Sequence, residues 1–355
     1  MAVNLHDRNL LSVKDLSSAE LLALLDLADE IKAHRAQYER AAPLAGKTLA
    51  MIFQKPSLRT RVSFETGMTR LGGHAIYLSP VDFTLGERES VEDVALVLSR
   101  MADVIMARVF GHDLVAGLAR HACVPVINGL SDFEHPCQIL ADLQTIRERK
   151  GGFKGLTAAW IGDGNNVAHS LMYGAALVGM SLKVTTPVEY APSATVLAES
   201  QAIGQRTGAK IRLVHDLAEG AKDADVLYTD VWASMGQEAE AELRKQKFAG
   251  YQINAKLMSY AKPDAIILHC LPTHYGDEID YATSRTPNSA IFDQAENRLH
   301  AQNALLVMIA GGARVAGKAR AAGRSAEPRR KRGAIRTAVR KAGPARKRVK
   351  NARRR

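Results

Sequence analysis

Residues 48–60 have the sequence TLAMIFQKPSLRT, in which the apolar segment Thr48–Phe53 is followed at once by a polar loop. The apolar segment predicts a short buried strand. Ser57 stands where a helix can begin, because its hydroxyl can accept a hydrogen bond from an unpaired N–H of the first helical turn. A buried strand followed by a loop and a helix is the repeating unit of an α/β fold with a parallel sheet.

The same unit recurs before and after a break in the sequence pattern, at the consecutive glycines Gly151 and Gly152. Buried strands are predicted at 48–53, 75–78, 104–107 and 125–127 before the break, and at 156–161, 182–186, 226–229 and 265–268 after it. We therefore expect an α/β protein with two consecutive doubly wound parallel-sheet domains, 1–150 and 151–310, and an active site in the cleft between them.

Two helices frame these predicted strands. The first begins at a capping box formed by Ser17 and Glu20 and ends near Tyr38. The last covers about 296–310, which is long enough for it to pack back on the first domain.

The net charge of +11 is concentrated at the C-terminal end of the 355-residue chain. Residues 311–355 contain 18 of the 48 Lys and Arg residues and a single acid, Glu327, whereas the preceding residues contain 30 basic and 36 acidic side chains. The charge therefore does not indicate a basic globular domain that binds nucleic acid. The Lys/Arg/Ala-rich composition of 311–355 predicts a disordered tail.

Composition also limits the class of protein. No apolar run approaches the ~20 residues of a membrane-spanning helix, and the N-terminal residues lack the features of a leader peptide, so we expect a soluble, cytoplasmic protein. The three cysteines, Cys123, Cys137 and Cys270, match neither a disulfide framework nor a metal site. We expect neither a metal nor a cofactor.

Polar residues follow the strands predicted in the first half of the chain. Ser57, Arg59 and Thr60 lie at the predicted start of a helix, where unpaired N–H groups and a guanidinium favour an anion such as phosphate. Arg108 follows the third strand, and the segment from His135 to Gln138 follows the fourth. Because ligands of such folds bind at the carboxyl ends of the strands, these groups predict one anion site.

The second half supplies a different set of groups. Gly162 and Gly164 suggest a dinucleotide-binding turn, but Val167 stands where the fingerprint needs a small residue, and no acid follows the next strand. A nicotinamide-dependent dehydrogenase is therefore excluded. Asp230 and Cys270 follow the next predicted strands and add an acid and a thiol to the same cleft.

Five segments together resemble those of the aspartate/ornithine carbamoyltransferase superfamily, and within it the ornithine carbamoyltransferases, over about residues 5–310. They are Ser57-Leu-Arg-Thr60, His135-Pro-Cys-Gln138, the turn at 162–166, Asp230 with Ser234-Met235-Gly236, and His269-Cys-Leu-Pro272. The resemblance implies transfer of the carbamoyl group from carbamoyl phosphate to the side-chain amine of L-ornithine, giving L-citrulline and phosphate. Such a reaction serves arginine biosynthesis or, in reverse, arginine degradation. A homotrimer or a multiple of trimers is also implied.

The resemblance implies a role for each matching residue. Those expected to bind carbamoyl phosphate are Ser57, Leu58, Arg59, Thr60, Arg108, His135, Gln138, Cys270, Leu271 and Arg298. Those expected to bind L-ornithine are Asn165, Asn166, Asp230, Ser234 and Met235. The catalytic set would be Arg59, Arg108, His135, Cys270 and Arg298. Thr84 stands where family members commonly carry His or Gln and where a neighbouring subunit reaches the active site.

Two alternatives stay open. One is a carbamoyltransferase for another amine, such as putrescine or acetylornithine, against which Asp230 and the Ser234-Met235-Gly236 segment argue. The other is a nucleic-acid-binding protein that acts through the basic tail, since clustered Lys and Arg bind polyanions without sequence preference. The tail has no counterpart in the family pattern.

Deletion of residues 312–355 is expected to leave carbamoylation of ornithine unchanged, because every residue with an implied role precedes the tail. The measurement is the rate of citrulline formation by the full-length and the shortened chain. A large loss of turnover on deletion would refute the independence of tail and catalyst.

Overall fold

The computed structural model describes residues 3–79, 81, 84–233 and 238–311. Within these residues the chain forms two separate parallel β-sheets with helices packed on them, so the predicted fold class is confirmed. The tail predicted at 311–355 lies outside the described residues from residue 312 onward.

The first sheet has four strands, all parallel. They are β1 (Thr48–Phe53), β2 (His74–Leu78), β3 (Val104–Arg108) and β4 (Val126–Leu130), and their order across the sheet is β2-β1-β3-β4. The helices of this half are α1 (Ser18–Ala33), α2 (Arg35–Ala41), α3 (Leu58–Arg70), α4 (Val91–Leu98), α5 (His112–His121) and α6 (Pro136–Lys150).

The second sheet has five parallel strands. They are β5 (Thr157–Ile161), β6 (Ser181–Thr185), β7 (Ile211–Val214), β8 (Val226–Thr229) and β9 (Ile266–His269), in the order β7-β6-β5-β8-β9. The helices that follow α6 are α7 (Asn166–Val178), α8 (Ala194–Thr207), α9 (Leu217–Ala221), α10 (Ala241–Lys247), α11 (Ala255–Met258) and α12 (Ile291–Ala310).

Both sheets reverse their winding direction once. The reversal lies between β1 and β3 in the first sheet and between β5 and β8 in the second. Adjacent crossover connections then leave toward opposite faces, and a crevice opens at the carboxyl ends of these strands. The loops after β1, β3, β5 and β8 are therefore in position to bind a ligand.

The sequence predicted eight of the nine strands, with ends within three residues of those observed. It missed β7, a four-residue strand at the edge of the second sheet with Arg212 exposed and Leu213 half-buried. Such a short segment offers only two buried side chains as a signal.

Two helix boundaries also differ from prediction. The capping box of Ser17 and Glu20 is present, but the first helix stops at Ala33 and a second begins at Arg35. The last helix begins at Ile291, five residues before the predicted start at 296. Its N-cap residue is Ala290, which provides no side-chain cap, so the usual sequence signal of a helix start is missing.

The most deeply buried helices connect the two halves of the chain. Residues 136–146 of α6 and 167–177 of α7 are all buried. Helix α6 packs against both α7 and α12. Gly174 permits this close approach, because a Cβ placed there would lie 2.6 Å from the Ile139 Cγ2 atom.

Helix α12 returns to the first sheet and packs against α1 and α3. Lys32 Nζ donates to the Asn297 side-chain oxygen over 2.8 Å, and Arg298 Nη2 donates to Thr60 Oγ1 over 3.0 Å. Near the end of the helix, the Asp7 backbone N–H donates to the Ile309 carbonyl over 3.1 Å. Side chains of α12 thus reach the start of α3.

Among the described residues, none of the helices combines the length and the apolar character required to cross a lipid bilayer.

Gly174→Val is expected to lower the free energy of unfolding by about 1–3 kcal/mol, because the added methyl groups overpack the contact of α6 with α7. Denaturant unfolding measures this change. Gly152→Val is the control, since a Cβ at Gly152 has no atom within 4 Å. Equal destabilisation by both substitutions would contradict the close packing at Gly174.

Candidate functional site

A cavity of about 100 Å³ lies where the carboxyl ends of strands from both sheets meet. Its walls are formed by Lys55, Ser57, Arg59, Thr60, Arg108, Leu130, His135, Gln138, Asn166, Val167, Asp230, Val231, Cys270, Leu271, Pro272 and Arg298. Eleven of the predicted site residues are therefore brought together.

The loop after β1 presents the N-terminus of α3 to the cavity. Ser57 is the N-cap residue, and its Oγ accepts a hydrogen bond from the Thr60 N–H over 3.3 Å. Unpaired N–H groups of such a first turn attract anions. Arg59 adds a guanidinium, which donates from Nη2 to the Leu271 carbonyl across the cleft over 2.6 Å. Burial lowers the pKa of Arg59, and Cys270 and Asp230 act in the opposite direction.

Arg108 and His135 add polar hydrogen-bonding groups that lack partners. Within the described part of the chain, Arg108 Nε and His135 Nδ1 are buried and have no hydrogen-bond partner. Burial, with the nearby guanidinium groups of Arg298 and Arg59, lowers the pKa of Arg108 to about 9. Burial and the same guanidinium groups, with that of Arg108, hold the pKa of His135 well below its usual range, so the ring is neutral near pH 7. An anion in the cavity would satisfy both groups.

The backbone of His135 is held by the second half of the chain. Its N–H donates to Ser170 Oγ over 2.9 Å, and Ser170 Oγ donates to the Glu134 carboxylate over 2.9 Å. Burial raises the pKa of Glu134 to about 7. Because Ser170 lies on α7, the loop that carries His135 is fixed to the other side of the cleft.

Arg298 is fully buried and is oriented by neutral oxygen atoms. Its Nη1 donates to Gln138 Oε1 over 2.6 Å, and its Nη2 donates to Thr60 Oγ1 over 3.0 Å. Neither acceptor carries a charge that would cancel that of the guanidinium. The positive charge of Arg298 is therefore available to a ligand or to a developing negative charge.

Asp230 lines the same cavity and accepts hydrogen bonds from two side chains. Cys270 Sγ donates to Oδ1 over 2.9 Å, and Asn165 Nδ2 donates to Oδ2 over 3.0 Å. Asn165 also caps α7 by accepting from the Val167 and Ala168 N–H groups. A buried carboxylate at this position suits a cationic amine.

The Cys270 thiol is protonated in this arrangement. Burial raises its pKa well above the usual value, and the Asp230 carboxylate raises it further by charge and by accepting the S–H hydrogen bond. A thiol is a poor nucleophile compared with a thiolate. The geometry therefore favours Cys270 as a hydrogen-bonding group.

The loop that follows β9 is fixed by its own histidine. His269 Nδ1 accepts from the Leu271 N–H over 2.9 Å, and its Nε2 lies 3.0 Å from Glu278 Oε1. Leu271 has a φ of +59°, and the peptide bond between Leu271 and Pro272 is cis. These contacts fix the backbone that points the Leu271 carbonyl at Arg59.

One group of residues has the spacing of metal ligands. The donor atoms of Asp230, His269 and Cys270 lie within 4.8 Å of one another. However, both ring nitrogens of His269 are occupied by Leu271 and Glu278, and the Cys270 thiol donates to Asp230. These groups fit hydrogen bonding better than metal coordination.

The remaining predicted residues lie elsewhere or outside the described residues. Leu58 is 74% exposed and does not line the cavity, so only its backbone N–H remains a candidate. Asn165 does not line the cavity but donates a hydrogen bond to Asp230, which does. Thr84 is half-buried and is not part of the cavity wall. Ser234 and Met235 lie outside the described residues.

Sequence reasoning did not assign five of the lining residues: Lys55, Leu130, Val167, Val231 and Pro272. Lys55 is the charged one, with its Nζ 4.4 Å from the centre of the Phe110 ring. Its position directly after β1 was an available signal. The apolar residues carry no such signal, because nothing in their type separates them from the core.

Two family models match consecutive parts of the chain. "Aspartate/ornithine carbamoyltransferase, carbamoyl-P binding domain" matches residues 8–148, and "Aspartate/ornithine carbamoyltransferase, Asp/Orn binding domain" matches residues 154–309.

Similar proteins and solved structures also match most of this chain and nearly the whole of their own length. The chain is 50% identical over 315 residues to the ornithine carbamoyltransferase of Thermococcus kodakarensis, covering 89% of this chain and 100% of the relative. It is 51% identical over 312 residues to the anabolic ornithine carbamoyltransferase of Pyrococcus furiosus, covering 88% and 99%. The solved structure of the Pyrococcus furiosus ornithine carbamoyltransferase has a TM-score of 0.84 at 50% identity, and covers 88% of this chain and 99% of that one.

Alkylation at about pH 8 is expected to label the exposed Cys123 and to leave Cys270 largely unmodified, because the Cys270 thiol stays protonated. Asp230→Asn removes the neighbouring negative charge, which lowers the pKa of Cys270 and speeds its labelling. Peptide mass spectrometry gives both rates, and Cys123 is the internal control. Labelling of Cys270 that is fast in the wild type, or unaffected by the substitution, contradicts this account.

Proposed function

Because the chain belongs to the aspartate/ornithine carbamoyltransferase family, we propose that it transfers the carbamoyl group of carbamoyl phosphate to the side-chain amine of L-ornithine, giving L-citrulline and phosphate. The observation that carries this proposal is one cavity whose wall contains both anion-binding groups and a buried carboxylate beside a thiol. A substrate with a phosphate and an acceptor with an amine fit these two sets of groups.

The N-terminus of α3 binds the phosphate in this proposal. The Leu58 and Arg59 N–H groups lie in the first turn, where the helix carries a partial positive charge, and they are flanked by the N-cap residue Ser57 and by Thr60. The Arg59 and Arg108 guanidinium groups complete the site. They also stabilise the charge that grows on the phosphate as it leaves.

The carbamoyl group lies between His135, Gln138 and Arg298. The carbonyl oxygen accepts from Arg298 and from the neutral His135 ring, whose buried Nδ1 lacks a partner among the described residues. The Leu271 carbonyl accepts from the carbamoyl NH2 group. As the amine attacks, negative charge moves to the carbonyl oxygen, and donors already in place stabilise it without reorganisation.

The acceptor amine must react in its neutral form, although its pKa is near ~10 by analogy with lysine. Asp230, Asn166 and the segment of Ser234 and Met235 bind the amino-acid end of ornithine, and Cys270 orients the reacting amine. The new C–N bond forms on the carbamoyl carbon, the C–O bond to phosphate breaks, and phosphate can accept the proton released. Cys270 forms no covalent intermediate, in keeping with its raised pKa.

We also propose that three copies of the chain assemble into a homotrimer or a multiple of trimers, with Thr84 near the contact. Support comes from apolar side chains exposed on the edge strand β2, on helix α3, which packs against it, and on helix α4: Ile76, Leu58, Val62 and Val97. Exposed apolar surface of this kind is typical of protein contacts.

The cellular setting is part of the same proposal. A cytoplasmic location agrees with three unpaired cysteines. A role in arginine biosynthesis agrees with the name of the Pyrococcus furiosus relative, an anabolic ornithine carbamoyltransferase. The division into 1–150, 151–310 and a tail stays a prediction, as does binding of nucleic acid or another polyanion by the tail.

Turnover measured with ornithine, putrescine, acetylornithine and aspartate tests the proposed acceptor. Ornithine is expected to be used best, because Asp230 and the Asn pair bind its amino-acid end in this proposal, and putrescine and acetylornithine lack that end or carry it in altered form. Asp230→Asn is expected to raise KM for ornithine by about 10- to 100-fold, since hydrogen bonds to charged groups contribute about 1.5–3 kcal/mol. KM for carbamoyl phosphate should stay near its wild-type value.

Asp264→Asn is the control, because Asp264 is an exposed partner of Lys150. Better turnover of putrescine or acetylornithine than of ornithine would favour the alternative carbamoyltransferase. Isolation of a carbamoylated Cys270 would overturn the assigned role of the thiol.

A further inference from the structure

A carboxylate outside the cavity wall organises the residues that form it. Asp142 lies on α6, one turn after Gln138, and is fully buried. It accepts three hydrogen bonds: from Gln138 Nε2 over 2.8 Å, from Gln294 Nε2 over 2.7 Å and from Tyr228 Oη over 2.8 Å. The donors come from α6, from α12 and from β8 of the second sheet.

The first of these contacts, from Gln138, fixes which end of the Gln138 amide faces Arg298. Since Nε2 donates to Asp142, Oε1 is turned toward Arg298 and accepts from Nη1 over 2.6 Å. The reversed amide would place an NH2 group against the guanidinium, donor against donor. A buried pair of that kind is unfavourable, because both groups lose their hydrogen bonds to water.

The second contact, from Gln294, fixes the orientation of an amide that binds the loop carrying Cys270. Gln294 Nε2 donates to Asp142, and Gln294 Oε1 accepts from the His269 N–H over 2.8 Å. His269 immediately precedes Cys270 and binds the Leu271 N–H through its ring. One carboxylate therefore orients two amides, one for each side of the cavity.

A carboxylate suits this role because it has no proton to donate when ionised. Burial raises the pKa of Asp142 to about 6, while its three hydrogen bonds and the charge of Arg298 act in the opposite direction. The group is therefore mainly ionised near neutral pH and acts as an acceptor for all three donors.

We propose that Asp142 is a positioning residue for carbamoyl transfer, which fixes the amides of Gln138 and Gln294 so that Arg298 and the Cys270 loop keep their catalytic orientation. The inference rests on the proposed function, since it assigns a role in that reaction. Asp142 touches no substrate and acts through the two glutamines.

The test is a double-mutant cycle on kcat, measured per folded molecule with saturating carbamoyl phosphate and ornithine. Asp142→Ala is expected to lower kcat by about 10- to 100-fold, since each buried donor left without an acceptor costs on the order of one to two powers of ten. In a Gln138→Ala background the same substitution should lower kcat less, because one of the two amides that it orients is already gone.

Two further variants separate positioning from stability. Asp142→Asn keeps one acceptor oxygen for both glutamines and turns its NH2 toward Tyr228 Oη, so kcat should stay within about threefold of wild type. Tyr228→Phe is the matched control: it removes a hydrogen bond from the same carboxylate but leaves both glutamine contacts, so it should lower the unfolding free energy and not kcat. Asp142→Ser replaces the alanine variant if that one does not fold.

The outcomes are distinct. An unchanged kcat in Asp142→Ala, or the same loss of kcat with and without Gln138, overturns the positioning role while citrulline formation by the wild type still supports the proposed function. Equal losses of kcat in Tyr228→Phe and Asp142→Ala also overturn it. Absence of citrulline formation by the wild type would overturn the proposed function and this inference together.

Discussion

Three guanidinium groups, those of Arg59, Arg108 and Arg298, line one small cavity, and the hydrogen-bond partners that Arg59 and Arg298 have there are neutral. Arg59 donates to the Leu271 carbonyl, and Arg298 donates to Gln138 and Thr60. Neutral oxygens orient a cation without cancelling its charge, whereas carboxylates would neutralise the positive charge that attracts an anion to the site. Of the acids of the region, Asp142 lies outside the cavity wall and contacts Gln138, and Asp230 lines the wall with its carboxylate hydrogen-bonded to Cys270 and Asn165. The charge of the arginines thus remains available for an anion.

This separation requires parts of the chain that are far apart in sequence. Thr60 and Gln138 belong to the first half, Leu271 follows the last strand of the second, and Arg298 arrives on α12. Close packing of α6 on α7 and α12 holds these parts together. The buried helices therefore determine the electrostatics of the cavity, because a small change in their spacing would alter which oxygen each guanidinium meets.

The sequence allowed most of the fold and the cavity-facing groups to be predicted. Strands such as Thr48–Phe53 are short apolar runs with polar ends, and groups at strand ends meet because parallel sheets bring them to one edge. The boundary at Ile291 was missed because Ala290 gives no capping signal. Asp142 was missed for another reason: it lies inside a helix, and its importance comes from Gln294 and Tyr228, which only the folded chain brings near.

The hydrogen bond from the Asp7 N–H to the Ile309 carbonyl places the two ends of the globular part side by side. Nearby ends are the usual condition for circular permutation. A short linker could join them, and new ends could be opened at Gly151 and Gly152, where the chain passes from one sheet to the other. In the permuted chain the second sheet would be synthesised first, and α12 would connect the two halves covalently as well as by packing.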